Sequence, residues 1–366
     1  MIPRSDRNGP LRGVILAGGE GTRLRPLTLS LPKPVVPIVD RPLLNYQLDL
    51  LASAGVDQIV FSVAYRPEKV QAIFGNGERL GRRIVYAVED SPLGTGGAVK
   101  NAEPHLDDLT IVLNGDILTD VDMKAVVAGH KESGARATIV LAPVPNPSAY
   151  GLVETDSTGR VVRFTEKPDP SQITTDTINA GIYVLDTATL GLMPSGQVHS
   201  IERAFFPELL RRGDLVRAHV HRGYWIDIGT PAKYLQVHLD ILRGRFPVEF
   251  GVTSESGGRV GDGALIETGA DLRPPFFVGP GCRVAAGAVV GPDAVLVSNV
   301  RVAAGASLET SVLWNDCSVG EGARIEGALL GPGVRVAAHA FVGPGMVLGE
   351  ATDVTAYSLL KGLPAT

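Results

Sequence analysis

Cysteine is nearly absent from this chain: among 366 residues only Cys282 and Cys317 carry thiols. Two thiols without CxxC spacing offer no disulfide framework, so they are expected to be buried and free, in a reducing compartment. Long apolar runs are missing too; none approaches the roughly 20 residues a membrane helix needs. Met1 to Arg12 holds charges and prolines but no apolar core of a secretory signal, so the expectation is a cytoplasmic protein without a membrane partner. There is also no surplus of positive charge. Lys and Arg number 34 against 39 Asp and Glu, a formal charge of −5, which speaks against a nucleic-acid partner. It does not speak against an anionic substrate, because a local cluster of Arg and Lys holds phosphates in an acidic protein as well.

What is abundant is glycine, 44 residues unevenly placed, in a chain too long for one comfortable core. Residues 1–245 alternate short apolar runs (Gly13–Ala17, Gln58–Val63, Ile84–Val88, Thr110–Leu113, Ala137–Leu141) with helix-like stretches (Pro42–Ala54, Pro67–Phe74, Asp122–Ser133). That alternation predicts an α/β domain, a Rossmann-like parallel sheet with helices on both faces. Past Leu141 it gives way to a hairpin over Gly151–Thr155 and Val161–Thr165, so the sheet is expected to be mixed.

Residues 246–366 follow another rule. Aliphatics recur every six positions from Val260 through Ile266, Leu272, Val278, Val284, Val290, Leu296 and Val302 to Leu308. The period breaks, resumes at Val319 and Ile325, slips by one, and continues through Leu330, Val336, Val342 and Leu348. One short strand and one corner per repeat, three repeats to a turn, predict a left-handed parallel β-helix with each inward aliphatic stacked on the one eighteen residues away. A flexible glycine-rich tail would have no fixed apolar phase. The linker is expected near Gly244–Gly251. Exposed coil faces and an open end make this domain a candidate for homo-oligomer assembly or regulation.

Chemistry is concentrated in the first domain. Leu16, Gly18, Gly19, Gly21, Thr22 and Arg23 follow the first strand, where glycines let backbone N–H groups approach phosphate oxygens and an arginine offers a forked donor. The segment is neither GxGxxG nor GxxxxGK[ST], so a dinucleotide fold and a P-loop ATPase are excluded. Pro32-Lys33-Pro34 then frames a lysine between two residues of fixed φ. With these residues on the page, the chain resembles the sugar-1-phosphate nucleotidylyltransferases, whose signature GGxGxRLxPxTxxxPKP matches Gly18 to Pro34. The resemblance implies that the glycine loop covers a nucleoside triphosphate and that Arg23 and Lys33 bind it.

It extends along the chain. Asn114-Gly115-Asp116 ends a hydrophobic strand, and Trp225-Ile226-Asp227 precedes a helix; in the family the two aspartates hold Mg²⁺. Asp120 and Asp122 sit at an expected helix start and are read as caps. Tyr150, Gly151, Glu166, Lys167 and Asn179 match the sugar-phosphate pocket, with Glu166 accepting sugar hydroxyls and Lys167 pairing with the phosphate. Glu89, Gly94 and Thr95 occupy the base-binding loop. A carboxylate at Glu89 suits the N1 and N2 edge of guanine and would repel thymine carbonyls; the loop and Ser200-Ile201-Glu202 are similar to guanylyltransferases acting on mannose 1-phosphate. GTP and mannose 1-phosphate are therefore the favoured substrates.

The reaction needs little acid–base help, since the nucleophile is an anionic phosphate oxygen and the leaving group is pyrophosphate; orienting two polyanions and neutralising charge is the work. Arg23, Lys33, Asp116 and Lys167 are the catalytic candidates. The seven histidines are scattered, and His219 and His221 are read as solvated. Three alternatives remain: glucose 1-phosphate with dTTP or UTP, an acyltransferase using His339 of the β-helix, and an inactive scaffold subunit.

Overall fold

The computed structural model describes residues 9–166, 169, 171, 173–248 and 257–362. The expected linker at Gly244–Gly251 lies partly outside the described residues. By contacts the chain divides into two compact units, Met1–Glu20 with Leu44–Trp225, and Gly21–Leu43 with Ile226–Thr366.

The first unit is built on a sheet. Strand β1 (Leu11–Leu16) is the first described strand, and β2 (Pro37–Ile38) and β3 (Arg41–Pro42) form a small hairpin of the second unit. Then come α1 (Leu43–Ser53), β4 (Gln58–Val63), α2 (Pro67–Phe74), β5 (Arg83–Val88), α3 (Gly94–Ala102), β6 (Leu109–Asn114) and β7 (Ile117–Thr119). Strands β5, β4, β1 and β6 lie parallel, with β1 between β4 and β6. All six residues of β4 are buried, as expected for a strand covered by helices on both faces.

The sheet becomes mixed after α4 (Met123–Ser133), through β8 (Ala137–Pro143), β9 (Gly151–Thr155), β10 (Val161–Glu166) and β11 (Thr177–Asp186). Strand β11 is antiparallel to β6 along Ile182–Asp186 and pairs β8 on its other edge. Its register shifts between Asn179 and Tyr183, so the start of the strand turns to the β9–β10 hairpin through Ile178 and Leu152. The bulge is what lets one ten-residue strand serve three neighbours. After α5 (Phe206–Arg211), β12 (Val216–Val220) adds parallel to β8, and β13 (Trp225–Asp227) and α6 (Pro231–Leu242) follow. The cap expectation is right for Asp122, whose side chain accepts from Ala125 N–H at 3.1 Å. It is wrong for Asp120, which accepts from Tyr224 N–H and meets His221 Nε2, both at 2.8 Å. His221, read as solvated, instead meets a carboxylate that sequence spacing cannot reveal.

In the second unit, three six-stranded parallel sheets form the left-handed β-helix. Val278, Leu296, Leu313 and Leu330 stack in one inward column, Val284, Val302, Val319 and Val336 in the next, and all are buried. Each such aliphatic contributes about 1.5–3 kcal/mol. The period expected to break after Leu308 does not break in space. Leu313 fills the inward position, so that coil measures seventeen residues, with Leu296 paired to Leu313. The short step recurs between Ile325 and Leu330, on the same corner. Left-handed residues Thr310 (φ 48°) and Gly327 (φ 57°) close it, and Gly327 N–H donates to Glu309 O at 3.1 Å. Cys282 and Cys317 are free and buried as expected, and burial pushes their thiols up to about 11 and about 12. Among the described residues no helix is long and apolar enough to cross a membrane.

Candidate functional site

The glycine loop leaves the carboxyl end of β1, where Leu16 ends the strand between its neighbours. Ala17 N–H donates to Ser62 O at 2.8 Å and Gly115 N–H to Leu16 O at 2.9 Å. A Cβ on Gly115 would stand 2.4 Å from Leu16 O, so only glycine lets the turn before Asp116 approach this loop. Gly18 is tight against Ala64 and Glu89, whereas a Cβ at Gly19 would meet nothing within 4 Å. Gly19 thus presents bare backbone to open space, as phosphate contact requires.

Glu89 follows β5 and is only 7% exposed, so it is not a solvated charge. Its Oε1 accepts from Ser62 Oγ at 2.8 Å and its Oε2 from Leu93 N–H at 2.9 Å. Each carboxylate oxygen keeps a further lone pair for a ligand donor. Beyond it the loop enters α3 at Gly94, which has φ 70°. The first turn of α3 presses on the backbone of 197–199: Gly96 and Gly97 N–H donate to His199 O at 2.9 and 3.2 Å, and a Cβ on Gly94 would stand 2.7 Å from the same oxygen. Thr95 turns its hydroxyl to Glu202 at 2.8 Å. The glycines here serve close packing of this loop; the amides at Gly96 and Gly97 already have a protein acceptor.

Asp116 is half-buried in the turn between β6 and β7. Gln47, on α1 and fully buried, donates through Nε2 to Asn114 O at 2.8 Å and Ile117 O at 3.0 Å, fixing the chain on both sides of Gly115-Asp116. Its amphipathic position in the sequence gave no sign of this role. At the other wall, the β11 bulge places Gly181 (φ 73°) over Asn114, with its absent Cβ 2.5 Å from Asn114 Nδ2. Asn179 Oδ1 accepts from Gly181 N–H at 3.0 Å, and its Nδ2 donates to Tyr183 OH at 2.8 Å. Tyr150 meets Trp225 edge-on with centroids 5.8 Å apart, and Trp225 Nε1 donates to Ala180 O at 2.9 Å. Gly151 pairs with Glu166 across the hairpin. Lys167 lies outside the described residues.

The remaining expected residues belong to the second unit. Thr22, Arg23 and Leu24 form a single 3₁₀ turn entered from Gly21 (φ 64°). A Cβ on Gly21 would stand 2.9 Å from Lys33 Cβ, and Thr28 Oγ1 donates to Gly21 O at 2.8 Å. The buried Lys33 opens a second 3₁₀ turn behind Pro32. Gly229 lies between Arg23 and Asp227: its absent Cβ would be 3.2 Å from Arg23 Nη1 and 3.1 Å from Asp227 Oδ2. Asp227 Oδ1 is ion-paired with Lys233 Nζ. Lys233 was not anticipated, although a lysine in the first turn of α6 opposes the helix dipole and was a usable signal.

These carboxylates suit magnesium in chemical type. Among the described residues no group of three or more His, Cys, Asp or Glu is placed to hold a metal ion. Mg²⁺ is commonly held by one or two carboxylates, with substrate phosphates and water completing the shell.

His339, the sequence's candidate for a second activity, sits at a coil corner with φ 57° and its ring stacked on Tyr357, centroids 5.1 Å apart.

Comparison with known proteins agrees with this layout. Residues 12–244 match the family described as nucleotidyl transferase, and residues 272–363 match the GMPPB C-terminal domain. A mannose-1-phosphate guanylyltransferase of Mycobacterium tuberculosis is 37% identical over 327 residues, 89% of this chain and 81% of that protein. A mannose-1-phosphate guanyltransferase of Yarrowia lipolytica is 40% identical over 261 residues, 68% of this chain and 71% of its own length. The solved structure of HddC from Yersinia pseudotuberculosis, complexed with GMP-PN, is 30% identical with a TM-score of 0.54, covering 62% of this chain and 97% of that one. The glycine loop and the lysine between prolines thus have one common explanation: the chain belongs to the nucleotidyl transferase family.

Proposed function

We propose that the protein transfers the guanylyl group of GTP to mannose 1-phosphate, giving GDP-mannose and pyrophosphate. Membership of the family supports nucleotidyl transfer to a sugar 1-phosphate, and the relatives named for mannose 1-phosphate support the sugar. The observation that carries the choice of base is Glu89: a buried carboxylate beside Gly18, braced by Ser62 and Leu93, is an acceptor suited to guanine's N1–H and N2–H₂ edge.

In this reading Arg23 and Lys33 bind the triphosphate, and Lys167 pairs with the incoming sugar phosphate. Tyr150, Gly151, Glu166 and Asn179 line the sugar, and Leu16, Gly18, Gly19, Gly21, Thr22, Gly94 and Thr95 enclose the nucleotide. Asp116 and Asp227 would hold Mg²⁺, which would offset negative charge on the phosphates. No side chain needs to act as a covalent nucleophile, because the sugar phosphate oxygen attacks the α-phosphorus in line. The fixed cations and backbone amides supply charge stabilisation already in place before the reaction. The β-helix would join copies of the chain, which the mass of the purified protein in solution tests directly.

The deciding experiment measures pyrophosphate release for GTP, dTTP and UTP, each with mannose 1-phosphate and glucose 1-phosphate. GTP with mannose 1-phosphate should be the best pair. A uridylyltransferase acting on glucose 1-phosphate in Synechocystis is 36% identical over 63% of the chain, so a preference for UTP or dTTP is the outcome that would overturn the guanine reading.

A further inference from the structure

Glu202 lies in a five-residue π-helix, Ile201–Phe205, a wide turn of a kind found more often at functional places than elsewhere. Its carboxylate gathers hydroxyl groups from separate elements. Oε2 accepts from Thr95 Oγ1 and Ser200 Oγ, both at 2.8 Å, and Oε1 accepts from Tyr183 OH at 3.0 Å. Thr95 Oγ1 in turn accepts from Ile201 N–H at 3.0 Å. Beyond the carboxylate, Tyr183 OH accepts from Asn179 Nδ2 at 2.8 Å, and Asn179 Oδ1 is held by Gly181 N–H at 3.0 Å.

An unbroken line of hydrogen bonds therefore runs from the turn opening α3 to the bulge of β11. A carboxylate has acceptors only, so all three hydroxyl protons must point at Glu202. Tyr183 has then used its one proton and can only accept from Asn179, which fixes the orientation of that amide. Replacing one carboxylate oxygen by an NH₂ group leaves a donor facing either the Tyr183 proton or the Thr95 and Ser200 protons, so the line breaks on one side. Tyr183 is fully buried, so water does not take over the bond.

We propose that Glu202 is the positioning residue that couples the nucleotide pocket to the sugar pocket, holding the α3 turn and the β11 bulge in one arrangement. This rests on the function proposed above, with Thr95 on the nucleotide side and Asn179 on the sugar side. The consequence is that a change on the nucleotide side alters recognition of the sugar phosphate.

The test uses steady-state kinetics of the full chain with GTP and mannose 1-phosphate. Thr95→Val should raise the KM for mannose 1-phosphate roughly tenfold, while Thr95→Ser, which keeps the hydroxyl, should not. Glu202→Gln and Tyr183→Phe should each give a similar rise, and Thr95→Val added to Glu202→Gln should give nothing further. Tyr183→Phe keeps the ring, so it reads the coupling even if Glu202→Gln lowers folding. A KM for mannose 1-phosphate within twofold of wild type in both Tyr183→Phe and Thr95→Val, or independent effects of Thr95→Val and Glu202→Gln, overturns the proposal. If the wild-type enzyme instead prefers another nucleotide and sugar, the substrate reading fails, and the same variants read the coupling with that pair.

Discussion

Ser62 donates its hydroxyl proton to Glu89 at 2.8 Å, tying the carboxyl ends of the neighbouring parallel strands β4 and β5 together beneath the glycine loop. The bond makes Glu89 a structural brace, and on the proposed reading the same carboxylate is the acceptor offered to the base. A brace of this type predicts graded effects. Ser62→Ala should raise the KM for GTP a few-fold and leave GTP preferred. Glu89→Gln presents a donor where guanine needs an acceptor, and the preference for GTP over dTTP should fall by roughly ten- to a hundredfold. Competition kinetics with the two nucleotides check both, and an unchanged ratio in Glu89→Gln would remove Glu89 from base recognition.

Gln47 holds the turn that carries Asp116 by donating to two carbonyls, Asn114 O and Ile117 O. Gln47→Glu puts a carboxylate against those acceptors, and only its protonated form can restore one bond. Burial and the carbonyl dipoles disfavour the charged form, so the new carboxyl has its pKa raised and is protonated below it. The variant should therefore gain turnover relative to wild type as the pH falls from 8 towards 6. A parallel pH profile for the two enzymes would show that the clamp does not govern Asp116.

His238 predicts the acid limb of stability. It is fully buried on α6, its Nδ1 accepts from Val39 N–H at 3.2 Å, and burial holds its pKa down to about 3. The imidazole is neutral in the fold but takes up a proton in the unfolded chain below about 6.5. Between those values the unfolded state binds more protons, so stability is lost as the pH falls through the window from about 6.5 to about 3. His238→Asn keeps an acceptor for Val39 without the titration. Its loss of unfolding free energy between pH 7 and 5 should be smaller than that of wild type in denaturant titrations.

The thiols should be silent. Cys282 and Cys317 are buried in the coil, with pKa values pushed up by desolvation, so neither presents a thiolate at neutral pH. A thiol reagent should label neither residue in the native protein and both after unfolding. Labelling of Cys317 in the folded state would mean that the coil opens locally.

Much of this was legible from periodicity. The predicted runs Gln58–Val63, Pro67–Phe74 and Gly151–Thr155 coincide with β4, α2 and β9, since each is bounded by turn residues and has one clear period. The inward columns of the β-helix were legible for the same reason, except Leu313, which the one-residue step at Thr310 moved out of phase. What could not be read was long-range pairing. Nothing near His221 points to Asp120, 101 positions away, and nothing near Thr95 points to Glu202. Glycine and lysine patterns mark where phosphates are expected, but the polar side chains that aim those elements are scattered and have no spacing of their own.

The shortened corners at Thr310 and Gly327 show that the coil counts in whole turns and not in residues. Each inward side chain meets only the turn before and the turn after, so what must be conserved through any change of length is closure, whether it takes seventeen residues or eighteen. Length in this domain is thus quantised. Removing one complete interior coil should leave a shorter, less stable but correctly stacked cylinder, while deleting three residues anywhere within it should turn every later aliphatic away from the axis.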